Sequence, residues 1–165
     1  MKKTQSKSEK EIKETIIDSL IYSPLFDGLI ENELKIVADH MDYSEIETGY
    51  ILFREGDRGD SVCFVLEGVV DIIKESSIGG EVVIASLPKG RSIGEMSVID
   101  NFPRSATAKA RRETTLLTLT QKNFDEILKN HPEIGIKILK GISRLLSLNL
   151  RKTSSRLADY LLPVS

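Results

Sequence analysis

At 165 residues the chain has the length of one domain, with enough apolar sequence to build a core without disulfides. Its 23 basic and 25 acidic side chains leave a formal charge of −2, so no general field draws it to DNA or to an anionic membrane. One cysteine excludes an internal disulfide framework and fits a reducing compartment.

Residues 1–8 are polar and lysine-rich and read as a mobile segment. No apolar core follows them and no apolar run approaches ~18 residues, so neither a signal peptide nor a membrane span is expected and the predicted location is cytoplasmic. From Ser8, with Glu11 as capping-box acid, Ile12, Ile16, Ile17 and Leu20 fall on one helical face until Ser23-Pro24 ends the pattern. A second helix is predicted over Glu31–His40, with Leu34, Ile36, Val37 and Met41 inward and His40 at its favourable C-terminal end.

After Asp42 the period changes to that of strands. Tyr43–Glu47, Tyr50–Phe53, Ser61–Glu67, Val69–Lys74 and Glu81–Leu87 are short β-rich runs, punctuated by Gly49, Gly56 and Gly68 at corners. Cys63 lies inside the apolar run 62–66 and reads as a buried structural thiol. Ser76–Gly80 is a hairpin tip, and Pro88-Lys89-Gly90 a turn. Ala106–Arg111 and Thr114–Thr120 are two further strands, with Arg111-Arg112 read as a solvated tip. Thr120 caps a helix over Gln121–Lys129, with Phe124, Ile127 and Leu128 inward. His131-Pro132-Glu133 starts a long helix running to about Tyr160, with His131 helping to cap it. Many short strands with glycine turns favour a closed sandwich or barrel.

Residues 94–107, GEMSVIDNFPRSAT, organise the chain. Gly94 frees the backbone to approach a ligand, and the following N–H groups can face an anion. Arg104 adds a planar fork suited to phosphate. Glu95 repels phosphate but accepts hydrogen bonds from sugar hydroxyls. An acid for a hydroxyl and an arginine for a phosphate describe a site for a phosphorylated sugar.

This segment resembles the phosphate-binding cassette of cyclic-nucleotide-binding domains, as in catabolite-activator regulators and kinase regulatory subunits. The resemblance implies a mainly β fold with flanking helices: an antiparallel β-roll of double-stranded β-helix or jelly-roll type, with N-terminal helices and a long C-terminal helix. It implies that Glu95 holds the ribose 2′-hydroxyl and Arg104 the cyclic phosphate. Gly94, Met96, Ser105 and Ala106 complete the cassette, and Asn149 on the long helix meets the base. The chain then divides into a flexible segment 1–8, helices plus β-roll 9–130, and a lid or dimerisation helix 131–165.

The plain alternative is an ordinary turn in which Arg104 pairs with Glu95. An enzyme fits poorly, because His40 and His131 are isolated and no nucleophile elbow or Gly-Lys-Ser/Thr loop occurs. The expected function is therefore a sensor that binds a cyclic purine nucleotide without turnover and needs no cofactor. In the family that the cassette resembles, a serine at the position of Ser105 can hydrogen-bond a guanine and also occurs in bacterial cyclic-AMP sensors. The resemblance therefore implies cyclic AMP or cyclic GMP, and cyclic AMP is preferred. The alternatives are a structural or interaction module of the same fold with an empty or differently occupied pocket, or the sensor part of a longer transcription regulator. With no helix-turn-helix after the long helix, no nucleic acid contact is expected, and no downstream partner is identified. Ile138, Leu139, Ile142, Leu145 and Leu146 form an apolar stripe that continues through Asn149 and Thr153 at heptad-like spacing. The resemblance to bacterial regulators, which dimerise along this helix, implies a parallel homodimer. The alternative is a monomer in which the helix is only a lid, as the polar run 151–156 allows.

Overall fold

The computed structural model describes residues 9–76, 79–100 and 102–161. The proposed cap Ser8, the hairpin-tip residues Ser77 and Ile78, and Asn101 of the cassette lie outside them. In chain order come α1 (Glu9–Ile21), a 3-10 turn (Pro24–Phe26), α2 (Glu31–Ala38), β1 (Asp42–Ile46), β2 (Ile51–Phe53), β3 (Ser61–Glu67) and β4 (Val69–Glu75). Then follow β5 (Glu81–Pro88), β6 (Ser92–Ile93), α3 (Ser97–Asp100), β7 (Thr107–Ala110), β8 (Thr114–Thr120), α4 (Gln121–Asn130) and α5 (Pro132–Leu161).

The strands form two four-stranded antiparallel sheets, ordered β1-β8-β3-β6 and β2-β7-β4-β5. Register shifts at Ile51/Phe53, Val65/Glu67 and Ile72/Ile73 mark the bends that curl the sheets into a roll. The corner glycines Gly49, Gly56 and Gly68 all sit at positive φ, conformations that a side chain disfavours. This is the antiparallel β-roll with flanking helices that the sequence implies.

The apolar run of β3 has a structural cause. Val62, Phe64 and Leu66 join the core beneath the helices, while Val65 joins Val70, Ile93, Ala108 and Leu116 inside the roll. Both faces of the strand are covered, so alternation with polar residues is lost. Cys63 is buried, as expected. Its sulfur lies 3.6 Å from the Thr118 hydroxyl, and burial pushes its thiol pKa up.

The helices close one end. Thr120 accepts a hydrogen bond from the Asn123 amide at 3.2 Å, the expected cap of α4. Phe124, Ile127, Ile134, Ile138 and Ile142 are buried against Phe26, Leu34 and Val37. Lys137 donates to both Glu33 carboxylate oxygens at 2.7 Å, tying α5 to α2. Gly141 lies against the Leu25 carbonyl so closely that a Cβ there would collide with it. His40 Nδ1 sits 2.8 Å from the Ile36 carbonyl, and the His40 carbonyl accepts from Asn123, which makes it a helix-end residue.

Several expectations need correction. α2 ends at Ala38, two residues early, and β6, α3 and the 3-10 turn are too short to show a period in sequence. Arg111-Arg112 is an exposed bend, as expected, but its side chains are not idle. Arg111 donates to Asp71 and Ser86 at 2.9 and 2.8 Å, and Arg112 to the Gly68 carbonyl at 3.3 Å, so the bend after β7 is tied to β4, β5 and the β3–β4 corner. The stripe of α5 also changes role along its length. Ile138 and Ile142 are core, and Leu139, Leu145 and Leu146 pack against that core. From Arg151 to Leu161 every side chain is exposed.

Candidate functional site

The cassette begins where β6 pairs with β3, Cys63 opposite Ile93. Gly94 follows at φ +83°, and a Cβ there would strike the Arg104 guanidinium. Only glycine lets the chain turn this close to the arginine. The Ser97 amide donates to the Gly94 carbonyl and opens α3, a single turn with Ser97 and Val98 buried. Asp100 then accepts from the Phe102 amide at 3.0 Å, shaping the return loop.

Arg104 is pinned by its backbone before its side chain is considered. Its amide donates to the Asp57 carbonyl at 2.8 Å, and its carbonyl accepts from the Gly56 amide at 2.9 Å. The turn between β2 and β3 therefore fixes the cassette. Gly59 in that turn packs so tightly on Ser97 and the Phe102 carbonyl that no Cβ fits.

The Arg104 side chain is only 3% exposed. Its guanidinium carbon lies 4.1 Å from the centre of the Phe53 ring. Nη2 donates to the Ser61 hydroxyl at 3.0 Å, and Nη1 makes a long 3.5 Å contact with the Gly94 carbonyl. The acid beside it is Asp60, at 3.9 Å and 68% exposed; the pairing with Glu95 that the ordinary-turn alternative required does not form. Nε is buried without a hydrogen-bond partner. Burial pulls the arginine pKa down, opposed by Cys63, Asp60 and Asp57. The site thus holds a desolvated cation with an unused donor, a costly arrangement unless something completes it.

Glu95 is half-buried. Burial pushes its carboxyl above the ordinary value, with its own backbone amide and Arg91 pulling part of the way back. The acid and the arginine belong to different neighbourhoods of one cavity of about 510 Å³, a volume that suits a small molecule.

Gly94, Glu95, Met96, Arg104, Ser105, Ala106 and Asn149 all border this cavity. Arg104 and Ala106 are buried, whereas Met96 and Ser105 stand exposed at the rim. Asn149 is half-buried on α5, one turn beyond Leu145 on the same wall, and Ile72, Ala85 and Leu87 supply an apolar side. The sequence reading missed Phe53 and Ser61, which hold Arg104, and Asp60, which stands 3.9 Å from it. The paired Gly-Asp steps Gly56-Asp57 and Gly59-Asp60 are the only local signal, and by themselves they mark no more than a turn. Among the described residues no group of His, Cys, Asp and Glu is arranged to hold a metal, and no helix is long and apolar enough to cross a membrane.

Comparison with known proteins places this geometry. A cyclic-nucleotide-binding domain structure from Methylobacillus flagellatus superposes with a TM-score of 0.81 at 31% identity, covering 91% of this chain and 84% of that one. The regulatory domain of Toxoplasma gondii protein kinase A, crystallised with cyclic AMP, gives a TM-score of 0.66 at 32% identity over 76% of this chain and 47% of that one. A lysophospholipase from Neurospora crassa is 35% identical over 63% of this chain, which spans only 7% of the enzyme's length. The family model for the cyclic nucleotide-binding domain matches residues 43–131, more than half of the chain and all of the cassette. The chain belongs to the cyclic nucleotide-binding domain family.

Proposed function

We propose that this chain is a sensor that binds a 3′,5′-cyclic purine nucleotide, cyclic AMP in preference to cyclic GMP, and releases it unchanged. The observation that carries the reading is Arg104. It is a cation in the cavity wall whose nearest carboxylate is the exposed Asp60 at 3.9 Å and whose Nε has no partner, the condition that a phosphodiester anion would relieve. Glu95, on the same cavity, would accept from the ribose 2′-hydroxyl, Gly94, Met96, Ser105 and Ala106 would frame the phosphate and sugar, and Asn149 would face the base. The Toxoplasma relative, crystallised with cyclic AMP, supports a cyclic nucleotide as the ligand. The lysophospholipase resemblance covers too little of that enzyme to bring its reaction here.

Side-by-side calorimetric titration with cyclic AMP and cyclic GMP tests the reading, with chromatography of the recovered nucleotide. Saturable binding of intact nucleotide is the expected result. Binding of neither, or product formation that tracks the protein, defeats it.

The same proposal includes a homodimer through α5, with its seam moved from the one expected. Ile142 and Leu146 are engaged with the chain's own core and Asn149 borders the cavity. Beyond Leu146, steps of four and three residues reach Leu150, Thr153, Leu157 and Tyr160, all exposed. That is the spacing of a coiled-coil seam.

A further inference from the structure

We propose that Phe53 is a positioning residue: its ring holds the Arg104 guanidinium clear of Asp60, keeping the cation available to an anionic ligand. The inference rests on the sensor reading of the same cavity and names a residue outside the cassette. Phe53 is fixed independently of the cassette, since β2 pairs with β7 with Phe53 opposite Ala108.

The hydrogen-bond donors of Arg104 decide which neighbour it can tolerate. A carboxylate in contact with Arg104 would neutralise it, but would occupy the N–H groups that a phosphate needs. A ring face attracts the cation and uses none of them. Asp60 is the competitor. It stands on an exposed turn, and a move of about 1 Å from its 3.9 Å separation would make a charge-assisted hydrogen bond. Two groups hold it off. Ser61 is interposed, accepting from Arg104 Nη2 at 3.0 Å and donating to Asp60 at 3.2 Å. Phe53 covers a face of the guanidinium at 4.1 Å. Remove the ring, and the cation loses its main attraction on that side and is free to close on Asp60.

The test uses the full chain and cyclic AMP as probe. Phe53→Leu is expected to weaken binding roughly three- to thirtyfold, and Phe53→Tyr to remain within about threefold of wild type. Asp60→Asn should restore affinity in the Phe53→Leu background more than it alters wild type, because only there has the carboxylate captured the arginine. Should Phe53→Leu fail to fold, phenylalanine carrying one, two or three ring fluorines at position 53 keeps the shape while draining the ring's negative face. Affinity should then fall stepwise with the melting temperature unchanged. Phe53→Leu binding within twofold of wild type, a flat fluorine series, or equal effects of Asp60→Asn in both backgrounds would each overturn the proposal. A ligand-free readout separates this from the parent reading: the Arg104 Nε–H proton should carry an upfield ring-current shift that Phe53→Leu abolishes. Its absence in wild type refutes the platform whatever binds. Its presence in a protein with no nucleotide affinity refutes the sensor, and with it any role of the platform in binding.

Discussion

Replacing Arg104 by alanine should separate binding from folding. The guanidinium is almost wholly removed from water, yet its compensation is modest: one hydroxyl, one ring face, a weak carbonyl contact and an acid at 3.9 Å. The ring contact contributes about 0.5–2 kcal/mol and the hydrogen bond to a charged group about 1.5–3, against a desolvation cost of several kcal/mol. These nearly cancel, so the ligand-free stability of Arg104→Ala should lie within about 1 kcal/mol of wild type. Affinity should behave differently. Losing a charge-assisted contact to phosphate costs about 1.5–3 kcal/mol, or roughly ten- to more than a hundredfold in Kd. Thermal unfolding reads both quantities. At ligand a hundredfold above Kd, wild type gains about 2.7 kcal/mol, whereas a variant bound a hundredfold more weakly gains about 0.4 at the same concentration. Arg104→Lys should recover only part, because a point charge has neither the fork nor the flat face. Affinity of Arg104→Ala within threefold of wild type would refute the reasoning, and so would a large ligand-free destabilisation with unchanged binding.

Three further outcomes are expected. Burial raises the Glu95 carboxyl pKa, so between the unfolded value and the raised folded one the native state holds the extra proton, and stability falls as pH rises through that window. Nucleotide affinity should run the other way, falling on acidification through the same window; Glu95→Gln should flatten both profiles, measured by calorimetry and urea unfolding across pH. Gly141→Ala should destabilise by roughly 1–2 kcal/mol in urea unfolding, since collision with the Leu25 carbonyl outweighs the helix propensity that alanine gains. Leu157→Asp should convert a dimer to monomer in sedimentation without altering the fold, and a wild type that is monomeric at tens of micromolar with and without nucleotide would remove the dimer. Leu146→Asp is the poorer probe, because Leu146 packs against the chain's own core.

What the sequence determined by itself was local or periodic. The cassette is a contiguous run of residues, so Gly94, Glu95 and Arg104 could be named from their side-chain chemistry and from the family motif they resemble. The strands, the cap at Thr120 and the start of α5 at Pro132 each follow from a few neighbouring residues. Elements shorter than one period, such as β6 and α3, left no pattern to read. Only the tertiary structure decided what surrounds the cassette. Phe53 and Ser61 reach Arg104 across some fifty and forty-three residues, and no local signal distinguishes a phenylalanine that packs a core from one that carries a cation. The stripe of α5 was legible as apolar, but its division was not: the same helical period serves the core as far as Leu146 and faces water from Leu150. Periodicity records that a helix has an apolar face, whereas the partner of that face is set by how far the rest of the fold extends along it.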